Sequence, residues 1–354
     1  MSEILIKQTK WKELSFSKND VIKAGEKIIE DNITKEEEKE AKTVIDNWRA
    51  SHGYPLHVIY CNLRRRFGKR DGFVVAERMK RLDSIIKKLK RRKTMSLWRM
   101  NDLGGCRLVV PTLNDVYKSA NEYKDSNIKH KFIKPYDYID NPKEDGYRCL
   151  HHVYQFQGKK DGSFNRNMKI EIQFRTHLQH LWATAVETID IFTEQALKFG
   201  GGKPEYKRFF VLMSALFAMK EETANVPGTS DSREDIIAEI KSLDQEYRIL
   251  DTLKAIRTAA SHVLNSDDRK LRPGHYYILK LDYDKRMLRI FSFKPSEFEK
   301  ANDVYNKLEE DKKTQNIDVV LTGATSFQTL KSAYPNYFLD IGEFVDIAEG
   351  YILE

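Results

Sequence analysis

The sequence reads as an α/β protein with a second, smaller α+β unit behind it. Length, one switch in hydrophobic period and one polar break carry that reading. At roughly 150 residues per domain, 354 residues make about two domains. Apolar residues recur at helical intervals from Ile33 to about residue 93, and after Asn101 they alternate in twos, as strands require. The stretch Val226–Asp235 holds Pro227, Gly228, Ser230, Asp231 and Ser232 and marks a boundary. The expected division is residues 1–230, a helical connector over 231–268, and a C-terminal unit over 269–354.

Within the first unit, Val75, Met79, Leu82, Ile86 and Leu89 recur at four, three, four and three, which predicts the apolar stripe of one helix. Cys106–Val110 is a short β-branched run, and His151–Gln157 and Met168–Phe174 alternate, so all three are expected strands. Lys134–Asp145, with two prolines, is expected to be an ordered functional loop. Helical patterns resume near Thr176 and again over Tyr206–Glu222. In the last unit His275–Asp282 and Arg286–Phe293 form an expected hairpin, followed by a charged helix.

Composition narrows the function. A formal charge of +8 favours anionic partners such as nucleotides or RNA. No apolar run approaches the length of a membrane span, and no basic patch followed by an apolar stretch opens the chain, so a cytoplasmic location without membrane contact is expected. Cys61, Cys106 and Cys149 are widely spaced and lack zinc-site pairing, and the last unit holds no cysteine. None of the nine histidines precedes an Asp, which argues against one large class of metal-dependent phosphohydrolases.

Four elements carry chemistry. Alternation over Met168–Arg175 sends Lys169, Glu171, Gln173 and Arg175 to one face of a strand. Asp102 stands just before Gly104 and Gly105, where its carboxylate can project from a sheet end and, with Glu171, hold Mg²⁺. Lys80, Ser84 and Lys88, spaced by four, with Arg78 and Arg107 nearby, can grip a triphosphate. Gly146 allows a close turn, Tyr147 offers a flat face for a base, and His151 follows. Each alone has a bland reading as a solvated face or a turn; together they describe a phosphoryl-transfer site.

In that order these motifs resemble the synthetase domain of RelA/SpoT-type alarmone synthetases, particularly the small stand-alone ones, over most of residues 45–228. The resemblance implies a nucleotidyltransferase-like fold, a mixed sheet flanked by helices, that transfers pyrophosphate from ATP to a ribose 3′-hydroxyl with Mg²⁺. By the same resemblance Arg78, Lys80, Ser84, Lys88 and Arg107 bind ATP, Asp102 and Glu171 are catalytic and hold the metal, and Gly146, Tyr147, His151, Gln173 and Arg175 serve the acceptor. Trp182, Ala183 and Glu187 continue the pattern, but Thr188 stands where the family usually has His.

Two acceptors remain open: GDP or GTP, giving guanosine alarmones, and the 3′-terminal adenosine of tRNA. The basic runs Arg64, Arg65, Arg66 and Arg91, Arg92 favour a tRNA acceptor end held by its phosphates. Tyr334 and Tyr337, three apart, resemble the Tyr-x-x-Tyr segment of CapRel-type fused toxin-antitoxin proteins. That resemblance implies a C-terminal pseudo-zinc-finger domain that occupies the adenine pocket through an intramolecular toxin-antitoxin contact. A phage protein, such as a capsid protein, would release it by binding the C-terminal domain. Tyr276, Tyr277, Phe291, Phe293, Phe338 and Phe344 include the expected exposed contacts for that partner, with half or more of the six expected in the core.

Overall fold

The computed structural model describes residues 11–92, 94–158, 167–196, 204–261, 275–282, 287–311, 317–324, 327–335, 337–338 and 340–354. In chain order the helices and strands are α1 (Lys18–Lys27), α2 (Lys35–Ser51), α3 (Gly53–Phe67), β1 (Val74–Met79), α4 (Leu82–Arg91), β2 (Gly104–Val110), α5 (Leu113–Lys124), β3 (Lys131–Asp137), β4 (Leu150–Gln155), β5 (Lys169–Thr176), α6 (His177–Ala196) and α7 (Pro204–Lys220). They continue with α8 (Arg233–Tyr247), α9 (Ile249–Ser261), β6 (His275–Asp282), β7 (Met287–Phe293), α10 (Phe298–Asp311), β8 (Ile317–Ala324), α11 (Phe327–Ala333) and α12 (Gly342–Leu353).

The strands form one mixed sheet in the order β3-β4-β5-β2-β1-β8-β6-β7, flanked by helices. β2 and β5 run parallel and the other pairs antiparallel. The last three strands come from the expected C-terminal unit, so the sheet crosses the boundary read from composition. β8, which the sequence reading did not anticipate, makes the junction by pairing Thr322 and Gly323 with Arg78 and Glu77 of β1.

The back of the sheet is largely apolar, with Glu77 of β1 a buried exception. Ile170, Ile172 and Phe174 of β5 and Leu108 and Val110 of β2 pack under Leu56, Ile59 and Leu63 of α3 and Val116 of α5. Ile278, Val319 and Leu321 pack under Phe298, Ala301 and Tyr305 of α10. On the front, a bundle built largely from α6 to α9 and α12 has its own core, including Phe209, Phe217, Ile240, Leu253 and Phe344.

Two sequence expectations fail for stated reasons. Val75 and Met79 lie on strand β1, and only the residues from Leu82 onward form the helix α4. The β-branched pair Val74–Val75 and the alternation of Val75 and Met79 against Ala76 and Arg78 suit a central strand, and the 4-3-4-3 spacing joined two elements by coincidence. The expected loop begins with the edge strand β3, which tolerates Pro135 because an edge residue need not donate to a second neighbour. The three expected strands and the hairpin stand where expected, within two residues at each described end.

Candidate active site

Strand alternation places the polar residues of three neighbouring strands on the front face. Register sets Arg78 beside Gly105, Gly105 beside Glu171, and Arg107 beside Gln173, so the side chains form rows. Gly105 leaves the middle of that face open. A cavity of about 270 Å³ results, lined by Arg78, Lys80, Asp102, Arg107, Tyr147, Glu171, Gln173, Arg175, Glu187 and Tyr334 among others.

At one end Asp102 is held by two ammonium groups. Lys80 Nζ donates to Oδ2 at 2.9 Å, and Lys88 Nζ reaches both carboxylate oxygens at 2.8 Å. Lys80 stands just past β1 and Lys88 on α4, so the two converge from different elements instead of sharing a helix face. Burial alone would raise the Asp102 carboxyl, but Lys80 and Lys88 hold it below the ordinary range, at about 2. Ser84, half-buried on α4, does not line the cavity.

Glu171 faces the same cavity from β5. His151 Nδ1 lies 3.2 Å from its Oε2, and Gln173 Nε2 donates to Oε1 at 3.0 Å. Against the cost of burial, the histidine holds the Glu171 carboxyl down, while Tyr147, Cys149 and Glu171 push His151 well up. The pairing therefore favours an anionic Glu171 beside a protonated His151. Its Nε2 lies 2.8 Å from the Tyr147 hydroxyl, which also accepts from Arg175 Nη2 at 2.9 Å. Two groups thus fix the Tyr147 ring, and Lys143 Nζ lies 4.7 Å from its centre.

Gly146 sits at φ +85°, a backbone region that side chains disfavour. It also approaches Trp182 and Ser214 so closely that a Cβ would crowd both. The turn that aims Tyr147 thus requires glycine. Arg107 supplies a waiting cation: burial and Arg175 lower its guanidinium to about 10, and its Nε has no hydrogen-bond partner among the described residues. Glu187, from α6, lies 4.0 Å from Arg78 and is held below the ordinary range, against burial, by Arg78, Arg107 and Arg175.

The tail of the chain reaches this cavity. Tyr334 lines it, is 2% exposed, and donates its hydroxyl to the Glu77 carbonyl on β1. Arg107 Nη1 donates to the Ala333 carbonyl at 3.2 Å, and His180 Nε2 lies 3.0 Å from the Ser332 carbonyl. Tyr337 packs over Arg81, whose guanidinium pairs with Asp318 of β8. Glu309 of α10 accepts from the Leu82 amide at 3.2 Å, at the start of the helix that carries Lys88.

Sequence reasoning missed Arg81, Asp318, Glu309, His180 and Lys143. For the first four the signal lies in pairing across long sequence separations, which no local pattern contains, whereas Lys143 stands only four residues before the Tyr147 ring that it faces. The basic runs do not come together. Arg91 and Arg92 end α4 and are close enough to affect the charge of Lys143 beside Tyr147. Arg64, Arg65 and Arg66 end α3 on the opposite side of the sheet, where Arg66 and Arg70 face Glu122 of α5. Thr188 is buried and donates to the Thr184 carbonyl at 2.8 Å, a contact within its own helix. Of the six aromatic residues among which exposed contacts were expected, with half or more placed in the core, five are buried and Phe291 is half-buried, because they form the cores on the two sides of β6, β7 and β8 and beneath α12.

With that geometry in place, the comparisons give a consistent match. Residues 77–192 match the model of the region found in RelA / SpoT proteins. The matched stretch begins in β1, ends in α6 and contains the carboxylates and the tyrosine of the cavity. The chain is 31% identical to the GTP pyrophosphokinase YwaC of Bacillus subtilis over 113 residues, 30% of this chain and 52% of that protein. It is 35% identical over 116 residues to "Probable GTP diphosphokinase RSH3, chloroplastic" of Arabidopsis thaliana, 31% of this chain and 14% of that protein. The chain thus spans about half or less of these curated relatives. Among solved structures, small alarmone synthetase 1 of Bacillus subtilis, bound to its product pppGpp, aligns at 21% identity with a TM-score of 0.41, covering 50% of this chain and 92% of that one.

Proposed function

We propose that the chain is an ATP-dependent pyrophosphokinase held closed by its own C-terminal segment. The observation that carries this reading is that Asp102, Glu171, Arg78, Arg107 and Tyr147 line one cavity together with Tyr334. Four phosphate-gripping cations and two hard carboxylates suit ATP, and a mobile acceptor hydroxyl needs positioning more than covalent help.

Both carboxyls stay ionised at neutral pH, so the donor set of Asp102 and Glu171 fits Mg²⁺, with phosphate oxygens and waters completing its shell. The ion would neutralise charge developing between the α- and β-phosphates. Lys80 and Lys88 now supply the positive charge at Asp102 and would turn to the nucleotide phosphates. Arg78 and Arg107 hold the donor, and Tyr147 stacks the acceptor base. His151 keeps Glu171 anionic and adjacent to where an acceptor hydroxyl would give up its proton.

The acceptor we favour is the 3′-terminal adenosine of tRNA, because Arg91 and Arg92 stand near Lys143 at the acceptor side. Arg64, Arg65 and Arg66 lie on the other side of the sheet and take no part in that contact. A second reading, GDP or GTP as acceptor, is favoured by the names of the curated relatives. In either case Tyr334 and Ala333 occupy the space beside Arg107 where an adenine would sit, so a partner that binds the β6–β8 unit more tightly when it is displaced would activate the enzyme. A phage protein is the partner we propose, acting on an intramolecular toxin-antitoxin contact.

Incubation with ATP labelled on its terminal phosphates, plus either bulk tRNA or GDP and GTP, tests the reading. Label in the tRNA 3′ end supports the first acceptor and label in a guanosine product the second. Absence of transfer to either by the Tyr334→Ala protein contradicts the proposed activity.

A further inference from the structure

We infer that Cys61 is a modification site, a thiol reactive toward hydroperoxides with His57 and Glu77 assisting it on the side of the sheet opposite the cleft. His57 and Cys61 are four apart on α3 and therefore share a face. Cys61 Sγ lies 3.4 Å from His57 Nε2. The other ring nitrogen, Nδ1, lies 3.0 Å from the Tyr276 hydroxyl and 3.6 Å from Glu77 Oε1.

Glu77 supplies the independent observation. It is 4% exposed, and its Oε1 has no hydrogen-bond partner among the described residues. Its carboxylate fits only because its neighbour across the sheet is Gly323, where any Cβ would collide with Oε1. A buried carboxylate requires a cation, and His57 is placed to be one. Burial opposes the charge on the ring, but Cys61 and Glu77 overcome it and hold His57 up at about 10. The sulfur therefore faces a ring nitrogen whose protonated form is favoured. Cys61 is also reachable, being partly exposed, whereas Cys106 and Cys149 are buried.

These are the elements of a thiol that reduces an O–O bond. The sulfur attacks the outer oxygen of a hydroperoxide, the S–O bond forms as the O–O bond breaks, and sulfur gives two electrons to the peroxide. His57 Nε2 passes its proton to the departing oxygen and regains one from the thiol. The products are Cys61 sulfenic acid and water or an alcohol, with His57 unchanged.

The test treats the full chain with hydrogen peroxide in the presence of dimedone and locates the adduct by peptide mass spectrometry. The expected adduct is on Cys61, forming about tenfold faster than with His57→Gln and about threefold faster than with Tyr276→Phe. Iodoacetamide labelling of Cys61 in each variant confirms that the thiol is still reachable. An adduct at Cys106 or Cys149 in place of Cys61, no adduct at all, or equal rates in wild type and both variants overturns the inference. Because none of these readouts depends on ATP, failure here is separate from failure of the proposed pyrophosphokinase.

Discussion

On the front of the same sheet, β5, β2 and β1 present Glu171, Gln173, Arg175, Arg107 and Arg78, while the next two strands, β8 and β6, present Val320, Tyr277, Leu279 and Leu281. The polar half is an open cavity, and the apolar half is sealed by Leu330, Ala333, Tyr334, Tyr337 and Phe338. Backbone geometry is common to both, so the alternating residues decide which half lines a polar cavity and which is covered by the chain's own later residues. The apolar half gives the tail its reason to dock, since burial of apolar area is the main favourable term. Tyr334 stands at the border and carries that docking into the polar half. The segment bearing Tyr334 is thus held against the cavity by packing that lies mostly beside it.

The sharpest way to break this comparison is to remove the carboxylate proposed to be catalytic from the polar half. Glu171→Gln keeps the hydrogen-bonding shape and is expected to lower pyrophosphate transfer by about a thousandfold or more. Circular dichroism should remain unchanged, and transfer is followed by the labelled product. Next comes the border. Tyr334→Ala removes a buried ring and its hydroxyl contact, weakening the closed state by about 3 kcal/mol, which corresponds to about a hundredfold more open protein. ATP-dependent AMP release measures that change.

Asp318→Asn tests the latch next to the segment bearing Tyr334. It leaves Arg81 buried without its ionic partner and should cost about 3 kcal/mol in urea unfolding. A smaller effect follows from pH. The folded Asp102 carboxyl is depressed, so its contribution to stability is full above the unfolded value near 3.8 and is lost as pH falls toward about 2. Asp102→Asn should flatten that part of the stability profile, measured by urea midpoints across the acid range. The smallest effect belongs to the back of the sheet: Arg64→Ala, Arg65→Ala and Arg66→Ala together should leave the salt dependence of tRNA binding unchanged, whereas Arg91→Ala with Arg92→Ala should reduce its slope by about 2.

The sequence disclosed the polar half far better than the apolar one. Glu171, Gln173 and Arg175 alternate within one strand, and Gly146–Tyr147 stands at a turn, so local pattern sufficed. Strand β1 was hidden because its apolar residues continued smoothly into the helical spacing of α4. Strand β8 and the Arg81–Asp318 pair were hidden for another reason: they depend on residues more than two hundred positions apart meeting across a sheet. Which of the six aromatic candidates would lie in the core was not legible, because a large ring in sequence carries no sign of which side of a strand or helix it will occupy.

The most direct test of the central claim compares AMP release from ATP by three full-length proteins: the wild type, Tyr334→Ala, and Tyr334→Ala combined with Glu171→Gln. The account predicts low release from the wild type, a large rise with Tyr334→Ala, and loss of that rise in the double variant. Equal release from all three would contradict it, because neither the tail nor the carboxylate of β5 would then govern the cleft.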